Sequence, residues 1–348
     1  MEFGIFMEEM RHGLSQAEAF AQAFGTADAA EAWGVDGVWL GEQHFNPSRS
    51  VMSAPLVVAS AIAARTKRLR VGTAVQLLPL NNPLRIAEEV ATVDHVSAGR
   101  FDFGVGRSGS PRSYEGYGIP YPESQARFHE ALDIIRQAWK GEPFSYQGQF
   151  FRFENATVSP RPYQQPHPPL RMAATSADTF PMVARMGLFV FVGLRGMDIP
   201  ELRGHLQTYR QTWREAGHPG EPSVHLRIPL YAGRTEEAAR EEPRESITYY
   251  FKRQAEVTRS VAGRPGTGSV ERRLANAERL KALSYQDILS ERVAFGSAAG
   301  LRDRLTMLRD ELGLDGIVAE INPGGLLPAE LERESLRILA HEVIPAFK

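Results

Sequence analysis

Short apolar runs rich in β-branched and aromatic residues alternate along the chain with longer stretches whose apolar positions recur at helical spacing. Runs of this length, bounded by turn residues, are typical of buried strands. The pattern predicts eight strands, at Phe3–Met7, Val35–Leu40, Leu69–Leu78, Phe101–Val105, Pro169–Ala174, Leu188–Gly193, Val224–Ala232 and Gly316–Ile321. It predicts eight helices between and after them, at Ser15–Trp33, Ala54–Ala64, Pro83–Val96, Ser124–Trp139, Thr179–Met186, Glu201–Ala216, Leu301–Leu312 and Pro328–Ile344.

This alternation indicates a parallel sheet, because parallel neighbours need a crossover between them. Eight strands are the number that closes a TIM barrel, so the sequence predicts a single (β/α)8 domain over residues 1–348, with an open doubly wound sheet as the alternative. Such a barrel needs about 250 residues, which leaves room for insertions. We expect a hairpin at 142–169, after the helix that follows strand four. We also expect a polar, glycine-rich flap at 258–281, before strand eight.

A G-x-G-x-x-G pattern at Gly104–Gly109 tests whether this is instead a dinucleotide-binding fold. The dinucleotide fingerprint passes directly from a strand into a helix, whose amides meet the pyrophosphate. Here Ser110, Pro111 and a series of further glycines and prolines follow, and these residues break helices. The stretch is therefore interpreted as a strand followed by a long functional loop.

Composition excludes several classes of protein. The formal net charge of -2 gives no basic surplus for nucleic acid, and there is no long run of like charge. Cysteine is absent, which removes disulfides and thiolate chemistry and fits a cytoplasmic protein. We find neither a signal-peptide pattern nor an apolar stretch of membrane-spanning length. None of the nine histidines forms an H-x-H or H-E-x-x-H pattern, so no metal site is expected.

Polar residues follow the predicted second strand, where a barrel carries its chemistry. In Gly41–Pro47, His44 can act as a general base or as a hydrogen-bond donor to an oxyanion, or it can be a structural histidine. Glu42 would need a partner in the barrel interior. Gln43 cannot ionise and is at most a donor and acceptor.

A second group of candidates follows strands four and five. The hydroxyls of Ser176 and Thr179 begin a helix, where free backbone amides and hydroxyls can surround a phosphate. Arg107, at the neighbouring strand end, would supply charge and a forked pair of donors. The alternative is an ordinary helix cap with a surface arginine.

Several segments together resemble the bacterial luciferase-like flavin monooxygenases, nearly from end to end. They include GVWLGEQHF, LRVGTAVQLLPLNNPLRIAEEVATVDHVSAGRFDFGVGRS, AATSADT, VAFGSAAGLRDRL and INPGGLLP. The resemblance implies a TIM barrel that binds reduced FMN (FMNH2) and reacts it with O2 through a C4a-peroxyflavin. It also implies an aldehyde, a ketone or another small organic molecule as substrate and a separate NAD(P)H:flavin reductase as partner. We further expect a homodimer and a lid formed by residues 258–281, which would keep water from the reaction.

The resemblance also assigns residues to the flavin. It places Arg107, Ser176 and Thr179 at the flavin phosphate, with Thr175 beside them. The other assigned positions are Ala74 and Val75, where the luciferase catalytic subunit has a cis peptide under the ring, and Gly106, where it has a cysteine. Loss of that side chain predicts a larger pocket.

Departures from the family pattern keep other functions open. Luciferase has two adjacent histidines after strand two, the first of them the catalytic base; that position is Gln43 here and His44 matches the second. His44 therefore takes over the role, or proton transfer runs through water, or the site performs different chemistry. The alternatives are an F420-dependent oxidoreductase and a non-catalytic flavin-binding or regulatory subunit.

Overall fold

A computed structural model describes residues 1–8, 12–265 and 269–348. Eight parallel strands form a closed barrel, in which each strand pairs with the next and β8 pairs with β1. The (β/α)8 prediction is confirmed, and the open-sheet alternative is wrong. The strands are Glu2–Met7 (β1), Gly37–Leu40 (β2), Arg70–Thr73 (β3), Phe101–Gly106 (β4), Leu170–Ala173 (β5), Phe189–Gly193 (β6), Val224–Ala232 (β7) and Gly316–Glu320 (β8).

Helices connect the strands, and their ends follow local signals in the sequence. The first helix begins after Ser15, whose side chain forms a capping box with Glu18, and ends at Gly34 in the left-handed conformation. No helix in the described ranges is long and apolar enough to cross a membrane. The helices that match predicted ones are Gln16–Trp33, Pro55–Arg65, Pro83–Val96, Ser124–Ala138, Thr179–Arg185, Ile199–Glu215, Ala298–Leu312 and Ala329–Ile338.

The segment predicted as one strand at Leu69–Leu78 is divided in two. After β3, the Ala74–Val75 peptide bond is cis, and Gln76–Leu77 then forms a short strand against the end of β4. This rearrangement places Gln76 opposite Val105 and Leu77 opposite Gly106 at the mouth of the barrel.

A short helix, Pro111–Gly116, lies in the loop that the sequence predicted to be free of helix. Proline is well tolerated in the first turn of a helix, because the amide it lacks would have no partner there. The loop is also held against the barrel, since buried Tyr114 donates a hydrogen bond to the Arg107 carbonyl and Tyr121 donates one to the Ser108 carbonyl.

The two predicted insertions differ in character. Residues 142–169 contain an antiparallel pair of strands, Phe144–Gln147 and Arg152–Ala156. Where composition suggested a flap at 258–281, the described residues are largely helical. Helix Arg244–Ser260 packs against helix Val270–Ala282, and residues 266–268 of the segment lie outside the described residues. Apolar Ala277 and Leu280 of the second helix are buried and lie three residues apart, as on one face of a helix. The many charged residues of this helix weaken the apolar pattern that would have predicted it from the sequence.

An apolar layer closes the barrel interior below its mouth. It consists of Phe6, Trp39, Phe191 and Val318, one each from β1, β2, β6 and β8. Partly buried Ala74, Val75 and Ala173 pack on this layer. This layer therefore forms an apolar floor at the mouth of the barrel. The polar residues predicted to form the site lie around it, after the ends of the strands.

Two glycine substitutions are expected to change stability in opposite directions. A Cβ at Gly104 of β4 would lie 1.9 Å from the Thr73 carbonyl oxygen, a backbone atom that cannot rotate away. We expect Gly104→Ala to lower the free energy of unfolding by about 3 kcal/mol. Gly204 has open space around its Cβ position inside helix Ile199–Glu215, so Gly204→Ala should raise stability by roughly 0.5 to 1 kcal/mol. Urea denaturation measures the free energy of unfolding of both variants. Equal stability of Gly104→Ala and Gly204→Ala would contradict the close contact between Gly104 and the Thr73 carbonyl.

Candidate functional site

His44 is held by hydrogen bonds to both of its ring nitrogens. Its Nε2 lies 2.6 Å from Glu42 Oε1, and its Nδ1 lies 3.2 Å from the hydroxyl of Tyr117. The rings of His44 and Tyr117 meet edge to face, with centroids 5.1 Å apart. The orientation of the imidazole is thus fixed from two sides, by a strand-end carboxylate and by the loop after β4.

Glu42 is the partner that connects His44 to the short strand after β3. Its second oxygen accepts a hydrogen bond of 2.7 Å from the Leu77 amide. Burial raises the pKa of Glu42 above its ordinary value, although the hydrogen bonds from His44 and Leu77 act in the opposite direction. Sequence reasoning noted that Glu42 needed a partner but did not identify one; Tyr117, in the glycine-rich stretch after β4, was missed altogether.

Gln43 is oriented differently from its two neighbours. Its backbone N–H donates to the Met52 carbonyl, which closes the loop after β2. Gln43 is half-buried, and none of its side-chain atoms joins the Glu42–His44–Tyr117 group. The structure thus places His44, and not Gln43, in a hydrogen-bonded chain of titratable groups.

Val75 and Gly106 contact each other at the junction between the short strand and β4. A Cβ at Gly106 would lie 2.3 Å from Val75 Cγ2. The expected enlargement of the pocket at Gly106 is therefore absent, because the Val75 side chain occupies that space. One residue further, the buried side chain of Gln76 has an Oε1 atom with no hydrogen-bond partner among the described residues.

Arg107 follows Gly106 directly and is partly buried. Its Nη1 donates a 2.9 Å hydrogen bond to the Ser124 hydroxyl, and its guanidinium lies 5.9 Å from the ring centroid of Tyr121. No carboxylate among the described residues forms an ion pair with it. A guanidinium held in this way retains donors for an anionic ligand.

Ser176 and Thr179 lie at the neighbouring strand end, since β4 pairs with β5. Their hydroxyls are 2.8 Å apart, and the helix that begins at Thr179 has no side-chain cap from Asp178. The ordinary capping arrangement considered from the sequence is therefore not formed. Thr175 is exposed beside them.

A cavity of about 500 Å³ opens at the other side of the barrel mouth, above the ends of β1 and β8. Its wall includes Phe6 of the apolar layer, and helix Arg244–Ser260 contributes Tyr249, Tyr250 and Gln254. Neither His44 nor Arg107 lines this cavity. The residues predicted to bind the phosphate thus follow β4 and β5, whereas the cavity lies at the ends of β1 and β8, across the mouth of the barrel.

Partly buried ion pairs border this cavity. Arg227 of β7 donates two hydrogen bonds, of 2.8 and 3.0 Å, to Glu320 at the end of β8, and Arg49 donates one of 2.9 Å to Glu8. Burial acts to raise the pKa of Glu8, but the charges of Arg49 and Arg227 hold it below its ordinary value. No group of three or more acidic or histidine side chains in the described part of the chain could hold a metal ion.

The family model described as luciferase-like monooxygenase matches residues 1–316. The chain belongs to this family. The resemblance seen in its motifs is thus confirmed.

Two curated relatives show how far this similarity extends. An uncharacterized protein of Sinorhizobium fredii, y4wF, is 35% identical over 187 residues, so the alignment covers 54% of each chain. The chain therefore spans about half the length of this relative. The oxygenase component of the flavin-dependent trigonelline monooxygenase of Acinetobacter baylyi is 25% identical and is matched over 100% of this chain and 96% of its own.

Solved structures share the fold of this luciferase-like chain. One is the FMN complex of the oxygenating constituent of 3,6-diketocamphane monooxygenase from Pseudomonas putida, with a TM-score of 0.82, 20% identity, and coverage of 99% of this chain and 98% of that chain. Another is the F420-dependent tetrahydromethanopterin reductase of Methanopyrus kandleri, with a TM-score of 0.74, 18% identity and coverage of 100% and 99%. At these identities the likeness is one of fold.

Proposed function

We propose that this protein is the oxygenase component of a two-component, FMN-dependent monooxygenase, which uses FMNH2 and O2 to oxidise a small organic substrate. The observation that carries the proposal is the group formed by Arg107, Ser176 and Thr179. It combines a guanidinium at the end of β4, without an acidic partner among the described residues, with two hydroxyls on the uncapped helix start that follows the neighbouring strand β5. This donor set suits a phosphate monoester, which is the end of FMN that a protein can hold by charge.

The rest of the mouth suits an isoalloxazine ring. Ala74 and Val75 form an apolar surface over Phe6, Trp39 and Phe191, against which a flat ring can pack. This surface supports a flavin at this position and a role for Gly106 in the close approach of the backbone.

When bound, reduced flavin would activate dioxygen and allow one oxygen atom to reach the substrate. The chain's own residues would position the ring, exclude water and hold a proton. His44 is the proposed acid–base group, because Glu42 binds its Nε2 and Tyr117 reaches its Nδ1. The Tyr117 hydroxyl can accept a proton from Nδ1 only as it releases its own, and this exchange needs no movement of the imidazole. Gln43, which cannot ionise, is assigned a positioning role.

The partner is proposed to be a separate NAD(P)H:flavin reductase. The trigonelline relative is itself named an oxygenase component, which supports a two-component scheme. We retain the homodimer and the lid at residues 258–281 as parts of the proposal, and size-exclusion chromatography with light scattering tests the dimer.

Two other functions have different expected results. An F420-dependent oxidoreductase is favoured by the fold shared with the Methanopyrus enzyme. A flavin-binding or regulatory subunit is suggested by Gln43 at the position of the luciferase base. The first would bind reduced F420 in preference to FMNH2, and the second would hold flavin without oxidising anything.

One experiment separates these functions. The full chain is mixed with FMNH2 without air, then exposed to 18O2, with a panel of aldehydes and ketones present or absent. We expect a flavin absorbance change that outlasts the autoxidation of free FMNH2, and incorporation of 18O into one class of compound. A parallel arm contains reduced F420. Retention of flavin without labelled product from any compound would support the binding subunit instead.

A further inference from the structure

The base of the barrel, at the opposite end from its mouth, contains charged and polar side chains. The first or second positions of β3, β4, β5 and β7 hold Arg70, Asp102, Arg171 and His225, which we call the basal cluster. Bulky branched apolar residues usually fill the inside of a TIM barrel. The cluster lies under the apolar layer, because the ring of Trp39 is 5.9 Å from the His225 ring and 5.6 Å from the Arg171 guanidinium.

His225 is the member of the basal cluster that is buried without a hydrogen bond from its side chain. It is 2% exposed, and neither ring nitrogen has a hydrogen-bond partner among the residues that the structure describes. Gly316 of β8 lies opposite His225, and a Cβ there would be 2.7 Å from Nε2. The imidazole therefore packs closely against β8, and a second N–H on the ring would have no acceptor in place.

The charged members of the basal cluster oppose a positive charge on His225. Asp102 accepts a hydrogen bond of 2.7 Å from Arg70 Nε, and Arg171 Nε lies 4.0 Å from its other oxygen. One buried carboxylate thus faces two guanidinium groups. A protonated imidazole would add a further positive charge to a site from which water is excluded, which is costly.

The other strands around His225 bring one carboxylate near its ring. β2 and β6 present the rings of Trp39 and Phe191, and β8 presents a glycine. Asp315, just before β8, accepts a 2.8 Å hydrogen bond from the Val224 amide. Oε2 of Glu2 in β1 lies 3.4 Å from Nε2 without forming a hydrogen bond, and the Glu2 side chain is 58% exposed. Water and salt screen such an exposed charge, so Glu2 is a weak counter-charge.

A neutral His225 makes the stability of the barrel depend on pH. Burial lowers the pKa of His225 well below its ordinary value, and the charges of Arg171 and Arg70 act in the same direction. The unfolded chain takes up this proton at about pH 6.5. Below that pH the unfolded state binds more protons than the folded state, so stability that is complete above it is lost as the pH falls.

We propose that His225 is an acid-sensitive closure of the base of the barrel: the strands close around a neutral imidazole, and uptake of one proton by this side chain opens β7 from β8. The inference goes beyond the proposed function, because it concerns the end of the barrel opposite to the flavin site and needs no ligand. The base of a TIM barrel serves stability, whereas its mouth carries the chemistry.

NMR titration of the folded wild-type chain tests the neutral imidazole without any variant. Histidine ring nitrogens are labelled with 15N, and His225 is identified by its Overhauser contacts to the rings of Trp39 and Phe191. We expect the ring of His225 to remain neutral from about pH 7.5 to about pH 5.5. A ring that takes up its proton near pH 6.5 in the folded protein, the ordinary value, would overturn the proposal.

Hydrogen exchange of the backbone amides of β7 and β8 measures the opening. The opening equilibrium constant is compared between the wild-type protein and His225→Asn, since asparagine is polar but cannot gain a proton. Between about pH 7.5 and about pH 5.5, the wild-type constant should rise about tenfold more than that of the variant, because one histidine is protonated in the open state alone. Equal pH dependence of the two proteins would overturn the proposal.

Two further variants test whether this pH dependence belongs to His225 alone. His341→Asn replaces an exposed histidine and should keep the pH dependence of the wild type. Glu2→Gln removes the carboxylate near Nε2 and should change the opening constant equally at both pH values. A larger effect of Glu2→Gln at the lower pH would reveal an ion pair with a protonated His225, and would overturn the proposal.

Discussion

Replacing Arg107 by alanine is expected to weaken the binding of FMN by about 2 to 3 kcal/mol, or roughly 30-fold to 150-fold in Kd. Its guanidinium is partly buried, is held by Ser124 and has no carboxylate among the described residues to neutralise it. A phosphate bound there would lose both a charge and one or two short hydrogen bonds. Fluorescence quenching of FMN titrated with protein measures the change.

Two further variants test whether the loss of FMN affinity is specific to the guanidinium of Arg107. Arg107→Lys keeps the charge but loses the fork of donors, so its Kd should fall between those of wild type and Arg107→Ala. Arg112, exposed on the next short helix, is the matched control, and Arg112→Ala should leave the Kd unchanged. If riboflavin, which lacks the phosphate, loses as much affinity as FMN in Arg107→Ala, the residue does not hold the phosphate.

The barrel could be predicted from the sequence because its strands are short and buried. β7 was predicted at its observed bounds, Val224–Ala232, and β1 differs by one residue. Apolar runs between helical stretches leave few other topologies. The prediction of one continuous strand at Leu69–Leu78 was wrong. Its residues all suit a strand, but the strand is interrupted at Ala74–Val75. No hydrophobic pattern records that change, since both halves remain buried.

The helices in the insertions were missed for a different reason. Arg244–Ser260 and Val270–Ala282 have strongly polar sequences and bury only part of one face. Their glycine-rich and charged connection resembled a loop, and their helical signal depends on tertiary packing. The cavity wall was missed with them, because Tyr250 and Gln254 lie on the first of these helices.

Candidate site residues could be predicted where they follow a barrel strand, but not where a loop carries them. Glu42, His44, Arg107, Ser176 and Thr179 all follow barrel strands, a rule that holds for TIM barrels generally. Tyr117 contacts His44 although the two residues are 73 positions apart in the chain. It lies in a turn, where no hydrophobic periodicity could predict its position. Long-range contacts of this kind follow from the path of the chain, which the sequence pattern does not define.

Replacing His44 by alanine is expected to lower kcat about 100-fold or more, while the Kd for FMN changes by less than about twofold. His44 is the one imidazole that Glu42 and Tyr117 hold, so its loss removes the proposed acid–base group without touching Arg107. Oxygen uptake with FMNH2 and the identified substrate gives kcat, and FMN titration gives the Kd. The matched control is His341→Ala, because His341 is exposed and lies outside the site.

Glu42→Gln separates an acid–base role from a structural one. A glutamine can still accept from the Leu77 amide, but its amide nitrogen would face His44 Nε2 as a donor and impose the tautomer protonated on Nδ1. We therefore expect a lower kcat with an altered pH profile, and an unchanged unfolding midpoint.

If His44→Ala retains the wild-type kcat, the histidine only supports the loop after β2, and proton transfer must run through water.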